Sequence, residues 1–274
     1  EKQKEKINEK EKLFIITDIA KNFFVKQLYE SDFGNNIAKS YLIERGFSDS
    51  IIKRFDVGCL TNSINDLKNF LIDKKYKIDD LHSLGLVSLN TNYDVYKSRI
   101  IFPIKTISGR TAGFGARTLK SNYKSAKYIN SPESIIYNKS KILYGLYNSK
   151  NEIVKRDNCY IVEGYTDVLR FHQKDIKNVV SSSGTALTPE QIRLIRRLTS
   201  NIVVLFDGDA AGLRAAIRGV DLILEQGMNV KICSFPEGED PDSFAKSHTE
   251  EEIKSYLKTE GKDFIEFKTD ILLK

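Results

Sequence analysis

Cysteine and histidine are scarce in this chain of 274 residues, which has three of each. Cys59, Cys159 and Cys233 stand far apart with no CxxC pairing, and His82, His172 and His248 fall in unrelated places, so a zinc site is not expected. Cys159 and Cys233 both fall in predicted strands, where buried thiols are the ordinary expectation. Long apolar runs are missing too. No stretch approaches the roughly 20 residues needed to span a bilayer, and the charged opening EKQKEKINEKEK has no apolar segment of the signal-peptide kind. The expected setting is cytoplasmic and reducing, with no membrane contact. Beyond that opening there is no low-complexity tract, and there is no internal repeat.

What the chain does have is acid at the ends of predicted strands. Cys159 to Val162, Asn178 to Ser181, Ile202 to Phe206 and Val230 to Phe235 are short apolar or β-branched runs separated by stretches of helical period. That alternation predicts a mostly parallel sheet with right-handed crossovers, whose ligands collect outside the carboxyl ends of the strands. Glu163, Asp207 with Asp209, and Asp240 with Asp242 follow three of the runs. Thr188-Pro189-Glu190 reads as an N-cap, a first-turn proline and an early acid opening a helix.

Carboxylates gathered at one edge repel one another unless a cation intervenes. Mg²⁺ answers that need, because it takes oxygen ligands and is typically held by one or two carboxylates together with substrate phosphates. Gly208 allows a tight turn between Asp207 and Asp209, and the helix after it presents its positive end to the same region. Taken singly, each acid has a plainer reading. Asp207-Gly208-Asp209 is also a common strand-to-helix turn, Glu163 a solvated residue or helix-start charge, and Asp240-Pro241-Asp242 a capped helix start. Together the acids lack basic partners beside them along the chain, which the separate readings do not explain.

The formal net charge of +6 gives a mild attraction to polyanions. Local charge is more telling: Arg99, Lys105, Arg110, Arg117, Lys120, Lys124 and Lys127 lie among Tyr123 and Tyr128. Basic side chains interleaved with aromatics can hold a strand's phosphates and stack its bases, although an ordinary solvated β-rich surface has the same look.

In order, IVEGYTDV, SSSGTALTPEQI, VVLFDGDAAGLRAA and FPEGEDPDSF resemble the successive motifs of the toprim domain in bacterial DNA primases of the DnaG type. Upstream, GFSDSIIKRFDVG, RIIFPIKTISGRTAGFGARTL, KYINSPES and LYGLY resemble the primase subdomain that precedes toprim, so the resemblance spans roughly residues 30 to 260. It implies that Glu163 matches the toprim glutamate, acting in proton transfer or metal binding, and that Asp207, Asp209 and Asp242 match metal-binding aspartates. Asp240 matches the preceding acid and is expected at the metal too, and Asp167 matches the acid of the EGYxDV block, a supporting acid. Arg117, Lys127, Tyr128 and Asn130 match the basic motifs that line the nucleic-acid and nucleotide path, and Arg99, in the RIIFPI block, is expected to bind nucleic acid or nucleotide with them. Asp56 and Cys59 depart from many relatives, which also carry an aromatic after Gly58.

The implied fold class is α/β: a mixed α+β N-terminal subdomain, a toprim domain with a mostly parallel sheet flanked by helices, and the start of a helical subdomain. The expected divisions are a charged segment 1–12, the end of a linker or a frayed helix, then 13–155, 156–248 and 249–274. The implied activity is synthesis of short RNA primers on single-stranded DNA from ribonucleoside triphosphates, with Mg²⁺ or substituting Mn²⁺. The family's zinc-binding domain and the domain that meets the replicative helicase are expected to lie outside this stretch. A toprim nuclease or topoisomerase would use similar acids, but the upstream blocks and the lack of a recognisable tyrosine nucleophile tell against both. A non-catalytic toprim scaffold can lose its acids, and this chain retains them.

Overall fold

The computed structural model describes residues 2–119, 126–207 and 210–272, with their side chains except at 2–4, 210–215, 268 and 270–272. The chain forms two compact units, Glu1–Asn138 and Lys139–Lys274.

The first unit is organised by α1 (Lys2–Glu30). Leu13, Ile16, Ala20, Phe24 and Leu28 recur every three or four residues and are all buried, so one stripe of the helix supplies a core face. The charged opening is continuous with this helix rather than a linker. Glu and Lys are strong helix formers, and adding residues to an anchored helix costs little once its nucleus exists. Arg110 donates to Glu11 at 2.5 Å and Lys12 to Asp80 at 2.7 Å, tying the end of the segment to the unit. A π-type turn, Gly34–Lys39, leads into α2 (Ser40–Glu44) and α3 (Asp49–Arg54). Then come β1 (Gly58–Leu60), α4 (Asp66–Asp73), α5 (Ile78–Ser83), β2 (Arg99–Lys105), β3 (Thr111–Thr118) and β4 (Tyr128–Asn130). The four strands pair antiparallel in the order β1-β2-β3-β4, and the β2–β3 hairpin turns at Gly109, where φ is 94°. Phe24 meets the edges of Phe114 and Tyr96, with ring centroids 5.2 and 6.1 Å away, at the centre of this core.

The second unit runs α6 (Leu146–Arg156), β5 (Cys159–Val162), α7 (Tyr165–Gln173), β6 (Val179–Ser181), α8 (Pro189–Arg196), β7 (Asn201–Phe206), α9 (Ala210–Glu225), β8 (Asn229–Ser234), α10 (Pro241–Ser247), α11 (Glu250–Thr259), β9 (Lys262–Asp263) and α12 (Phe264–Leu272). Its sheet has the order β6-β5-β7-β8-β9, with the first four strands parallel and β9 antiparallel. Each predicted strand is present to within about a residue. Thr188 caps α8 as its sequence suggests, accepting from Gln191 N while the Gln191 side chain reaches back to Thr188 N.

The boundary between units falls earlier than the 155/156 break expected from the sequence. Residues 139–156 belong with the parallel sheet, because Tyr144 bridges Ser181 through both backbone groups and the Gln191 amide donates to the carbonyls of Lys139 and Ile142. Residues 250–263 also join this unit, through buried Ile253 and Leu257 and the pairing of β9 with β8. All three cysteines are free and buried, and burial pushes the Cys59 and Cys233 thiols up to about 12. Among the described residues no helix is long and apolar enough to cross a membrane.

Candidate active site

β5 ends at Val162 and Glu163 follows it; β7 ends at Phe206 and Asp207 follows it. These strands are hydrogen-bonded neighbours in parallel register, Ile161 beside Val204, so the two acids leave the sheet at the same rim. The backbone carbonyl of Glu163 is held by Ser181 Oγ at 2.6 Å and Gly184 N at 3.2 Å, and its side chain is exposed. Asp207 is half-buried, and α9 opens at Ala210, just beyond it. Asp209 and Gly208 lie outside the described residues.

Asp167 sits in the first turn of α7, where its Oδ2 accepts from Gly164 N at 2.8 Å and caps the helix. Its carboxyl is buried, and burial pushes it up to about 7. The charges of Asp242, Asp240 and Asp207 push the same way, while the Gly164 N–H pulls against them. Carboxylates from β7, from the start of α10 and from its cap therefore act on one group in α7. That is how the fold gathers acids that are far apart in sequence.

A consequence can be measured. The native state holds the Asp167 proton more tightly than the unfolded chain, so this group's stabilisation is present below its ordinary value of 3.8 and is lost as pH rises through about 7. Asp167→Asn keeps an oxygen for Gly164 and removes the charge. It should leave the metal-free stability almost unchanged near pH 4 and raise it at pH 8, by roughly 2–4 kcal/mol at most. Thermal unfolding at the two pH values checks this, and an unchanged value at pH 8 would contradict it.

Asp240 is exposed and caps α10: its Oδ1 accepts from Ser243 N at 2.7 Å, and Ser243 Oγ accepts from Asp240 N at 2.9 Å. The plain capping reading is thus realised here, alongside its electrostatic reach to Asp167. Asp242 is buried in the first turn of α10, which packs against α7. Its Oδ1 accepts from Arg170 Nε at 2.7 Å, and both side chains are nearly inaccessible, 8% and 2% exposed. No basic residue stands next to these acids along the chain, yet the fold brings one across. Arg170 carried no signal in the sequence, since its partner lies 72 residues away.

Among the described residues no group of three or more His, Cys, Asp or Glu stands in metal-holding geometry. The rim's donors are carboxylate oxygens, and their charges act on one another at Asp167. Both features suit a hard divalent cation, for which Glu163, Asp207 and Asp242 are the described candidates. Beside Glu163 a cavity of about 380 Å³ runs between the sheet and α9, walled by Ile161, Val204, Phe206 and Leu187, with Arg218 at its edge.

The first unit carries the expected basic residues. Arg117 on β3 stands across from Tyr128 on β4, and Asn130 lies two residues further along that edge strand. Lys127 is exposed immediately before it. The Arg117 guanidinium lies 4.6 Å from the centre of the Tyr41 ring, and Arg45 donates to the Tyr41 hydroxyl at 3.2 Å. Arg45 was missed in the sequence, although it directly precedes the GFSDSIIKRFDVG block; the signal available was its place one turn after Tyr41. Arg99 differs from the rest. It is buried, and its guanidinium donates to the carbonyls of Ala126 and Lys127, so it anchors the chain entering β4. Lys120, Tyr123 and Lys124 lie outside the described residues.

Comparison with known proteins gives a consistent picture. A family model for the DNA primase catalytic core, N-terminal domain, matches residues 23–150, and a toprim-like model matches residues 160–245. The chain is 38% identical over 239 residues to a DNA primase of Staphylococcus aureus (strain COL), covering 86% of this chain and 40% of that protein. It is 34% identical over 261 residues to a DNA primase of Staphylococcus epidermidis, covering 94% and 43%. It therefore spans about two fifths of the length of these curated relatives. Among solved structures, a DnaG catalytic core superposes with a TM-score of 0.81 at 32% identity, covering 90% of this chain and 79% of that one. A DNA primase domain from Pseudomonas aeruginosa gives 0.85 at 31%, covering 95% and 83%. A DnaG primase catalytic domain bound to single-stranded DNA gives 0.83 at 30%, covering 92% and 82%.

Proposed function

Because this chain belongs to the bacterial DNA primases of the DnaG family, we propose that it carries the catalytic core of an RNA polymerase that makes short primers on single-stranded DNA. The reaction is attack of a primer 3′-hydroxyl on the α-phosphate of an incoming ribonucleoside triphosphate, with release of pyrophosphate. The observation that carries this reading is that Glu163 and Asp207 leave the neighbouring parallel strands β5 and β7 at the same rim.

Asp207, Asp209 and Asp242 are assigned as the ligands of Mg²⁺, with Asp240 adding negative charge beside them and Mn²⁺ as a working substitute. When bound, the ion supplies positive charge to phosphate oxygens and lowers the pKa of an attacking hydroxyl. Glu163, exposed at the end of β5, either completes the ligand set or accepts the hydroxyl proton. Asp167 holds the Gly164–Tyr165 entry to α7 in place behind it. The first unit binds template and nucleotide: Arg45, Arg117 and Lys127 meet phosphates, Tyr128 offers a ring for stacking, and Asn130 a polar edge. Arg99 supports that surface from beneath through the Ala126 and Lys127 carbonyls. The DnaG relative solved with single-stranded DNA supports this choice of template. A replicative helicase is the proposed protein partner, and the cytoplasm the proposed compartment.

The test is direct. Purified chain incubated with single-stranded template, labelled ribonucleotides and Mg²⁺ or Mn²⁺ should yield short RNA. Cleaved DNA in its place would identify a nuclease, and neither product would leave a binding module. DNA affinity should fall log-linearly with salt, and Arg117→Ala should make that slope shallower by about one unit.

A further inference from the structure

We propose that Arg170 is a built-in counter-cation of the acidic rim, a positioning residue that holds Asp242 and balances its charge when no metal ion is bound. The inference rests on the metal reading of the rim given above and goes beyond it, because it concerns how this chain survives without the ion. Arg170 lies on α7 one turn beyond Asp167, on the helix that packs against α10. Its Nε donates to Asp242 Oδ1 at 2.7 Å, and neither side chain has meaningful access to water.

A guanidinium this deeply buried is strongly disfavoured unless it is paired, and so is the carboxylate it meets. The two therefore hold each other in place. Burial raises the Asp167 carboxyl most, and the charges of Asp242, Asp240 and Asp207 push the same way, so positive charge nearby relieves part of that strain. A divalent ion would bring positive charge to the same carboxylates. Guanidinium and ion are thus alternative sources of neutralisation for one cluster, the first permanent and the second acquired. Arg170 keeps Asp242 oriented at the start of α10.

Thermal unfolding of the whole 274-residue chain, with and without MnCl₂, tests this. Arg170→Met should lower the metal-free unfolding temperature by roughly 5–10 °C. Mn²⁺ should then raise the temperature more in Arg170→Met than in wild type, since the ion replaces the missing charge. Arg170→Lys, which keeps a cation, should move both quantities back toward wild type. If Arg170→Met does not fold, the double variant Arg170→Met/Asp242→Asn decides, because it no longer leaves Asp242 as a buried carboxylate without its cation and should recover a cooperative transition. Failure of the double variant to recover overturns the proposal. So does a Mn²⁺ rise of equal size in Arg170→Met and wild type, which would mean that the arginine only fills space. Asp207→Asn separates the two levels: a Mn²⁺ rise that survives it sinks the metal reading of the rim and this inference together. A rise that Asp207→Asn abolishes but Arg170→Met leaves unchanged sinks the counter-cation alone.

Discussion

Asp207→Asn should reduce primer synthesis by on the order of 10³-fold or more, equivalent to about 4 kcal/mol of transition-state stabilisation, while single-stranded DNA binding stays within about twofold of wild type. The amide matches the carboxylate in size, so β7, whose inner residues Ile202 to Phe206 are buried, has no packing reason to move. What disappears is one negative charge at the end of a central strand, where the proposed ion and the phosphates meet. The residues assigned to DNA binding lie in the other unit, which gives the activity and the binding independent readouts. The same substitution removes one of the charges that raise Asp167, so the metal-free protein should become more stable near neutral pH even as it loses activity. Labelled-ribonucleotide incorporation, gel shift and thermal unfolding on one preparation check all three. Undiminished synthesis would end Asp207's assigned role, and a joint loss of binding would mean damage to the fold instead.

Gly58→Ala should destabilise the first unit by roughly 1–3 kcal/mol or more and leave the second unit's transition in place. Gly58 opens β1 where that strand passes against α1, and an added Cβ would stand 2.5 Å from the Phe24 carbonyl carbon and 2.7 Å from Phe24 Cβ. Most of the obstacle is backbone, so no rotamer change relieves it. The strand and the helix would have to separate, and Phe24, whose ring anchors the core against Phe114 and Tyr96, would move with them. Limited proteolysis with fragment mapping, together with DNA binding, reads the result. Early cleavage within residues 1–138 and weaker DNA binding are expected, and wild-type resistance would refute the packing account.

The residues around Gly58 also settle what the unusual Asp56 and Cys59 do. Asp56 takes a left-handed φ of 51° after α3, a conformation Asp tolerates, and its carboxylate accepts from Lys105 Nζ at 2.6 Å. Cys59 is fully buried and pairs across the sheet with Ile100. Both are therefore accommodated by β1 and its neighbours, with local partners that account for them structurally.

Strands β5 to β8, the caps at Thr188 and Asp240, and the acids that end the strands were legible from sequence because each rests on short-range rules. A β-branched run, a side-chain oxygen facing the next turn's N–H, and a proline in the first turn act within a few residues. The length of α1 was not legible, because the pull of its buried stripe on the charged residues before it depends on a core built from β1 to β3 and α4. Nor was β9, two residues long and defined only by its pairing with β8.

The chain's own order thus determined the family, the alternation of strands and helices, and which carboxylates lie at strand ends. Only the tertiary structure decided that Arg170 would neutralise Asp242, that Arg99 would hold backbone rather than face outward, and that Arg45 and Arg117 would meet at Tyr41. Hydrogen-bonded turns and periodic apolar faces are set by neighbours along the chain. Buried charges are set by whichever opposite charge the packed helices bring within reach, and that depends on the whole fold at once.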